Sequence, residues 1–184
     1  MVSSVLLSWW PWGLATAVLL CWCVGAVNRL LRLRMSIAQA FAALAPVWQR
    51  RLAWVQAHAF APGSQAGQRL AAARGQCALA LEQAGKKPHI CARIHSLALA
   101  GNALDAAWAA ASAEALPPSA NASRPDADGT TWDALGHQAL PLQMAFNAHV
   151  ARYNRAVTLF PASMLAFLLR LKRAAPLPVA PGGA

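Results

Sequence analysis

Acid is the scarcest chemistry in this sequence. Six aspartates and glutamates stand against sixteen lysines and arginines in 184 residues, a formal net charge of +10. The carboxylates are Glu82, Asp105, Glu114, Asp126, Asp128 and Asp133, and no pair of them shares an expected helix face with a histidine. General acid–base chemistry of the two-carboxylate kind therefore has no sequence basis. Cysteine is sparse as well. Cys21, Cys23, Cys77 and Cys91 contain no Cys-x-x-Cys pair, which removes zinc-ribbon and thioredoxin-type motifs and makes a reducing compartment the simpler setting for the body. No G-x-S-x-G, H-E-x-x-H or phosphate-binding glycine motif occurs, and Ala84-Gly85-Lys86-Lys87 lacks both the Ser/Thr and the preceding strand of a Walker loop. These absences predict a protein that is not an enzyme and carries no cofactor or small-molecule substrate.

Charge is missing altogether from residues 1–28, so every charged side chain falls from Arg29 onward. What is present there is apolar. The whole chain is 58% hydrophobic, against ~45–50% for ordinary soluble domains, which excludes general disorder. Residues 5–27 give 23 uncharged positions, where about 20 suffice to cross the hydrocarbon core as a helix. Trp9, Trp10 and Trp12 at one end and Trp22 near the other are placed like interfacial aromatic belts. A cleaved signal is the rival reading. It would need positive charge before the apolar run, whereas the basic residues here follow it, and no lipobox precedes Cys21 or Cys23. The sequence therefore predicts an anchor. Arg29, Arg32 and Arg34 at its exit predict an outside N-terminus and a cytoplasmic body.

The body reads as helices. Leu30, Leu33, Ile37, Phe41, Leu44, Trp48, Leu52, Val55 and Ala59 recur at spacings of three and four, one stripe on a helix continuous with the anchor. Pro46 predicts a kink near residues 41–45. After a turn at residues 61–64, a second helix fits residues 65–84, with Leu70, Ala73, Cys77 and Leu81 on one face and Gly85 past its end. Ile90, Ile94, Leu97, Gly101, Leu104, Trp108, Ala111 and Ala115 form a third stripe, in which Gly101 weakens the helix or admits a close neighbouring backbone. Residues 116–129 read as a loop. Thr130 with Asp133 marks the start of a fourth helix bearing Ala139, Phe146, Val150, Tyr153, Val157 and Phe160, with Pro141 a kink in its first turns and Pro161 its end. No period-two stretch bounded by turns suggests a strand. The expectation is an all-α chain: a transmembrane helix over 1–28 leading into an antiparallel, coiled-coil-like bundle of about four helices over 29–173. The Pro/Gly/Ala tail 174–184 is expected to be disordered.

Val27-Asn28-Arg29-Leu30-Leu31-Arg32-Leu33-Arg34, followed by Trp48-Gln49-Arg50-Arg51, is similar to the membrane-exit motif of the LemA family and the Gln-x-Lys/Arg-Arg pattern beyond it. Arg152-Tyr153-Asn154-Arg155-Ala156-Val157-Thr158-Leu159-Phe160-Pro161 is similar to the family's Tyr-Asn-x-x-Val/Ile-x-x-Phe-Pro motif. The signature positions are thus Asn28, Leu30, Arg32, Leu33, Arg34, Arg51, Tyr153, Asn154, Phe160 and Pro161, read as structural with Tyr153 in the core. Leu52-Ala53-Trp54-Val55 departs from the Ile-Pro-Asn-Leu usual after Arg51, and the alanine-rich centre departs too, which marks a divergent member. The resemblance implies a bacterial inner-membrane protein with a helical body and no agreed catalytic residues.

Two constellations remain. Cys91 and His95, four apart on one expected helix face, are the nearest approach to a metal pair, which Cys77, His58, His137 or His149 would have to complete. With no carboxylates nearby, the surface reading is preferred and no metal is assigned. The basic excess lacks the aromatic interleaving of a nucleic-acid surface. Arg170, Lys172 and Arg173 instead return to the membrane at the end of the fourth helix and join Arg29, Arg32 and Arg34 against anionic lipid, while Arg50 and Arg51 form a solvated face or a partner contact. The expected function is a membrane-tethered scaffold or adaptor binding protein partners or copies of itself. The alternatives are an accessory subunit of a membrane hydrolase or envelope-stress system and, further off, a metal-binding protein.

Overall fold

The computed structural model describes residues 2–57, 64–115, 131–159, 163–164 and 172–178, with side chains from Trp12 onward. The expected loop at 116–129, the candidate cap Thr130, Phe160, Pro161 and Arg170 lie outside the described residues, as do the side chains of Trp9 and Trp10. The described residues form four α-helices and no strand: α1 (Val2–Ala57), α2 (Gln65–Lys86), α3 (Cys91–Ala115) and α4 (Trp132–Thr158).

The 56 residues of α1 span roughly 84 Å at 1.5 Å per residue. Its N-terminal part is long and apolar enough to cross a membrane, and little of that part is buried inside the molecule. From Leu30 the same helix enters the bundle. Leu30, Ile37, Phe41, Leu44, Trp48 and Val55 are buried, with Leu33 and Leu52 packed beside them. Near its C-terminal end the buried arc widens to take in Val47, Arg51 and Trp54, because side chains from α3 and α4 close over α1 at that level. The helix continues through Pro46 without interruption.

Neighbouring contacts fix the directions. Gly85 of α2 lies by Phe41 and Arg74 bonds Gln56, so α2 runs against α1. Gly101 by Trp48, then Asp105 by Arg51, then Trp108 by Trp54, run α3 parallel to α1. Trp132 by Trp54, Phe146 by Phe41 and Tyr153 by Arg34 bring α4 back. The helices alternate up and down, with α1 packed between α4 and α2, and α3 packed against α2.

Local chemistry sets the helix ends. Ser64 caps α2 by accepting from the Gly67 amide at 3.0 Å. The helix runs two residues past its expected end, keeping Gly85 inside it, before Pro88. Thr131 caps α4 by accepting from the Ala134 amide at 3.2 Å, one residue later than the expected capping box. Pro141 sits within α4, which is unbroken to Thr158.

The tail is a correction. Residues 174–178 were expected to be disordered, yet residues 172–178 lie extended along α4 with Ala174 and Leu177 buried. Asn154 donates to the Ala174 carbonyl and accepts from its amide, both at 2.9 Å. Asn147 makes the same pair with Leu177, both at 2.8 Å. The two asparagines are two helical turns apart, about 10.5 Å, and three extended residues span about 10 Å. The registers match, so each amide side chain acts as a short piece of sheet edge for the strap.

Candidate functional site

Two concavities gather charged side chains, one of them over an aromatic floor. The first is a cleft of about 320 Å³ between α3 and α4, floored by α1. Arg51 lies in it. The sequence places Arg51 on a solvated face or at a partner contact, but it is 7% exposed, its Nη2 donating to Asp105 Oδ1 at 2.7 Å. Its guanidinium lies 4.1 Å from the centroid of Trp132 and 5.8 Å from that of Trp48. The burial follows because Asp105 of α3 and Trp132 of α4 close over a side chain that lies beside the apolar stripe of α1. Arg50 remains exposed. Trp54, Trp108 and Trp132 pack together beyond it, with centroids 4.6–5.7 Å apart. Gly101 has a physical reason too: a Cβ there would lie 2.6 Å from Trp48 Cη2, so the close neighbour is an indole ring, not a backbone.

Asp133, His137, Asn102 and Gln143 line the cleft, and Leu177 and Pro178 of the strap close part of it. Its lining includes Asp105, Asp133 and His137 and, among the described residues, no serine, threonine, cysteine or lysine. It offers an aromatic floor with polar walls.

The second concavity, about 610 Å³, lies at the opposite end, where α1 leaves the bundle. Arg34 enters from α1, His89 from the turn before α3, Cys91 and His95 from the first turns of α3, and Lys172 and Arg173 from the start of the strap. Arg34 is half-buried, its Nε donating to Tyr153 Oη at 3.3 Å, and that hydroxyl donates to the Lys172 carbonyl at 3.2 Å. Tyr153, fully buried, thus joins α1, α4 and the strap. Burial, reinforced by the charges of Arg34, Lys87 and Arg93, holds the His89 pKa below its ordinary value.

The residues that sequence reading treated separately meet here. Cys91 and His95 are exposed on α3 and share this pocket with Arg34, Lys172 and Arg173. Three fixed cations repel a metal ion, and among the described residues no group of three His, Cys, Asp or Glu side chains is placed to hold one. Asn28, Arg29 and Arg32 are exposed on α1 where it enters the bundle at Leu30. Trp12 and Trp22 are exposed in the apolar part. Sequence reading missed Asp105 and Asn147. A lone aspartate in an alanine-rich helix and an asparagine without a motif give no signal until their partners are known. Compared with models of protein families, with curated proteins and with solved structures, the chain matches none.

Proposed function

We propose that this protein is a membrane-anchored helical scaffold of LemA type, binding a protein partner and catalysing no reaction itself. One observation carries the anchoring. In the apolar part of α1, Trp12, Leu14, Val18, Leu19, Leu20, Trp22 and Val24 are between 40% and 74% exposed, and the bundle covers none of them. Moving that many large apolar side chains from water into hydrocarbon is worth on the order of 10 kcal/mol. A bilayer is the cover that suits an unbranched, charge-free helix of this length. The rigid continuation of α1 into the bundle core then holds the body at a fixed distance below the membrane.

The cleft between α3 and α4 supports the scaffold reading. Its aromatic floor carries a charge pair already made within the molecule, so a partner that buries apolar surface there leaves Arg51 Nη2 paired with Asp105. The signature residues Arg51, Tyr153 and Asn154 are engaged in internal contacts, which fits a framework better than reaction machinery. Purification from membranes in mild detergent tests the reading. The expected result is resistance to alkaline carbonate extraction and a stoichiometric partner, or second copy, lost on Gln143→Arg at the cleft wall. A protein recovered alone and monomeric removes the scaffold function; carbonate release removes the anchor.

A further inference from the structure

The basic pocket at the membrane-facing end of the bundle gathers cations that the sequence places against anionic lipid only as a general surface, and its composition is one-sided. Arg34, Lys172 and Arg173 converge on it from two elements far apart in sequence, His89 and His95 flank them, and no carboxylate lines it among the described residues. The first turn of α3 opens onto the same pocket with no acidic residue in it, so the positive partial charge of that helix end is not offset locally. Bringing like charges together around a concavity costs energy unless an anion shares it. The buried hydroxyl of Tyr153 holds both Arg34 and the Lys172 backbone in place, so the cluster is a built feature of the fold.

Position indicates the source of the anion. Arg34 lies about 9 Å along the helix axis from Asn28, the last residue of the uncharged segment. The headgroup layer is roughly 5–8 Å deep on each side of the hydrocarbon core. The pocket therefore opens at the inner edge of the phosphate layer when the apolar part of α1 spans the bilayer.

We propose that this pocket binds a phosphate-type oxyanion, supplied by the headgroup of an anionic phospholipid, with Arg34, Lys172 and Arg173 as its charged ligands and His95 at its rim. The chemistry of the site rests on the pocket alone; the lipid as source rests on the anchoring proposed above. Cys91 provides a built-in reporter, because it is exposed in the pocket lining. Cys77 is buried, and desolvation pushes its thiol pKa up to about 11, which keeps it unreactive.

The experiment uses the full chain in dodecyl maltoside micelles with Cys21→Ser and Cys23→Ser, reading alkylation of Cys91. The anionic reagent iodoacetate is expected to gain about tenfold over neutral iodoacetamide, relative to a free thiol, through local anion enrichment. Lys172→Glu with Arg173→Glu should abolish the gain; both side chains are exposed, so the bundle stays folded, as a circular dichroism melt will verify. Dioctanoyl phosphatidylglycerol at about ten times its dissociation constant should slow iodoacetamide about tenfold. Dioctanoyl phosphatidylcholine should leave the rate unchanged, and the double variant should lose the protection. His95→Glu, a single exposed change, should weaken protection in the same direction. Equal protection by inorganic phosphate supports the oxyanion site and overturns the lipid as its source. No protection by either anion, or equal protection by both lipids, overturns the site. Carbonate release of the chain from membranes refutes the anchoring and leaves the micelle result standing, so the two failures are distinct.

Discussion

At the scale of single residues, two positions show how neighbours override local preference. Gly101 sits mid-helix, where alanine is preferred by about 1 kcal/mol. The Trp48 ring lies where a Cβ would be, and a buried indole has little room to move, so overpacking of ~1–3 kcal/mol opposes that gain. Gly101→Ala is expected to lower stability by about 1 kcal/mol in a thermal melt followed by circular dichroism. Adding Trp48→Phe removes the clashing ring atoms, so Gly101→Ala should be neutral or stabilising in that background. Equal losses in both backgrounds would assign the glycine to something other than Trp48. His89 predicts a pH dependence. Its folded-state pKa is depressed, first by burial and then by Arg34, Lys87 and Arg93, below the ordinary 6.5. The unfolded chain therefore takes up the proton first as pH falls. The stability is fully present above about 6.5 and is lost as pH drops toward the folded pKa. Melting temperatures between pH 7.5 and 5 should fall less steeply in His89→Gln than in the parent chain.

At the scale of elements, the helices were legible because burial repeats every three or four residues, and Ile94, Leu97, Gly101, Leu104, Trp108 and Ala111 form that stripe on α3. Ends shifted by a residue or two, as at Thr131 and Lys86, because a cap depends on backbone geometry that several nearby residues can adopt. Arg51 was misread because a charge beside an apolar stripe looks solvated until the other helices are placed. The strap was misread because proline, glycine and alanine indicate disorder only when nothing nearby offers a hydrogen-bonding edge. Asn147 and Asn154 offer one, and the prolines at 176 and 178 fall at exposed positions, where a missing amide costs nothing. Each asparagine carries two hydrogen bonds worth about 1 kcal/mol apiece. Asn147→Ala and Asn154→Ala should therefore each lower stability by about 1–2 kcal/mol. In hydrogen exchange, the amides of Ala174 and Leu177 should lose protection while those of α3 keep theirs. Loss spread evenly through the bundle would mean that the strap is an integral part of the fold, not a separable element.

For the whole molecule, the proposed orientation follows from where the cations lie along one axis. Residues 1–28 carry none; Arg29, Arg32 and Arg34 follow at once, and the antiparallel return of α4 puts Lys172 and Arg173 at the same end. Lysine and arginine close to a span set its direction, whereas acidic residues contribute little. Arg29, Arg32 and Arg34 at the exit of α1 therefore carry the orientation signal by themselves. The expected topology places Cys91 on the cytoplasmic side. A membrane-impermeant maleimide should label it in inverted inner-membrane vesicles and not in intact spheroplasts, in a chain with Cys21 and Cys23 changed to serine. Replacing Arg29 and Arg32 with glutamine while adding lysines before Val5 should produce label in both preparations, because the cation bias is then divided between the two ends. Both arginines are exposed, so the bundle itself is unchanged by the substitution. Labelling of the parent chain from outside would reverse the orientation, and the basic pocket would then face the outer leaflet.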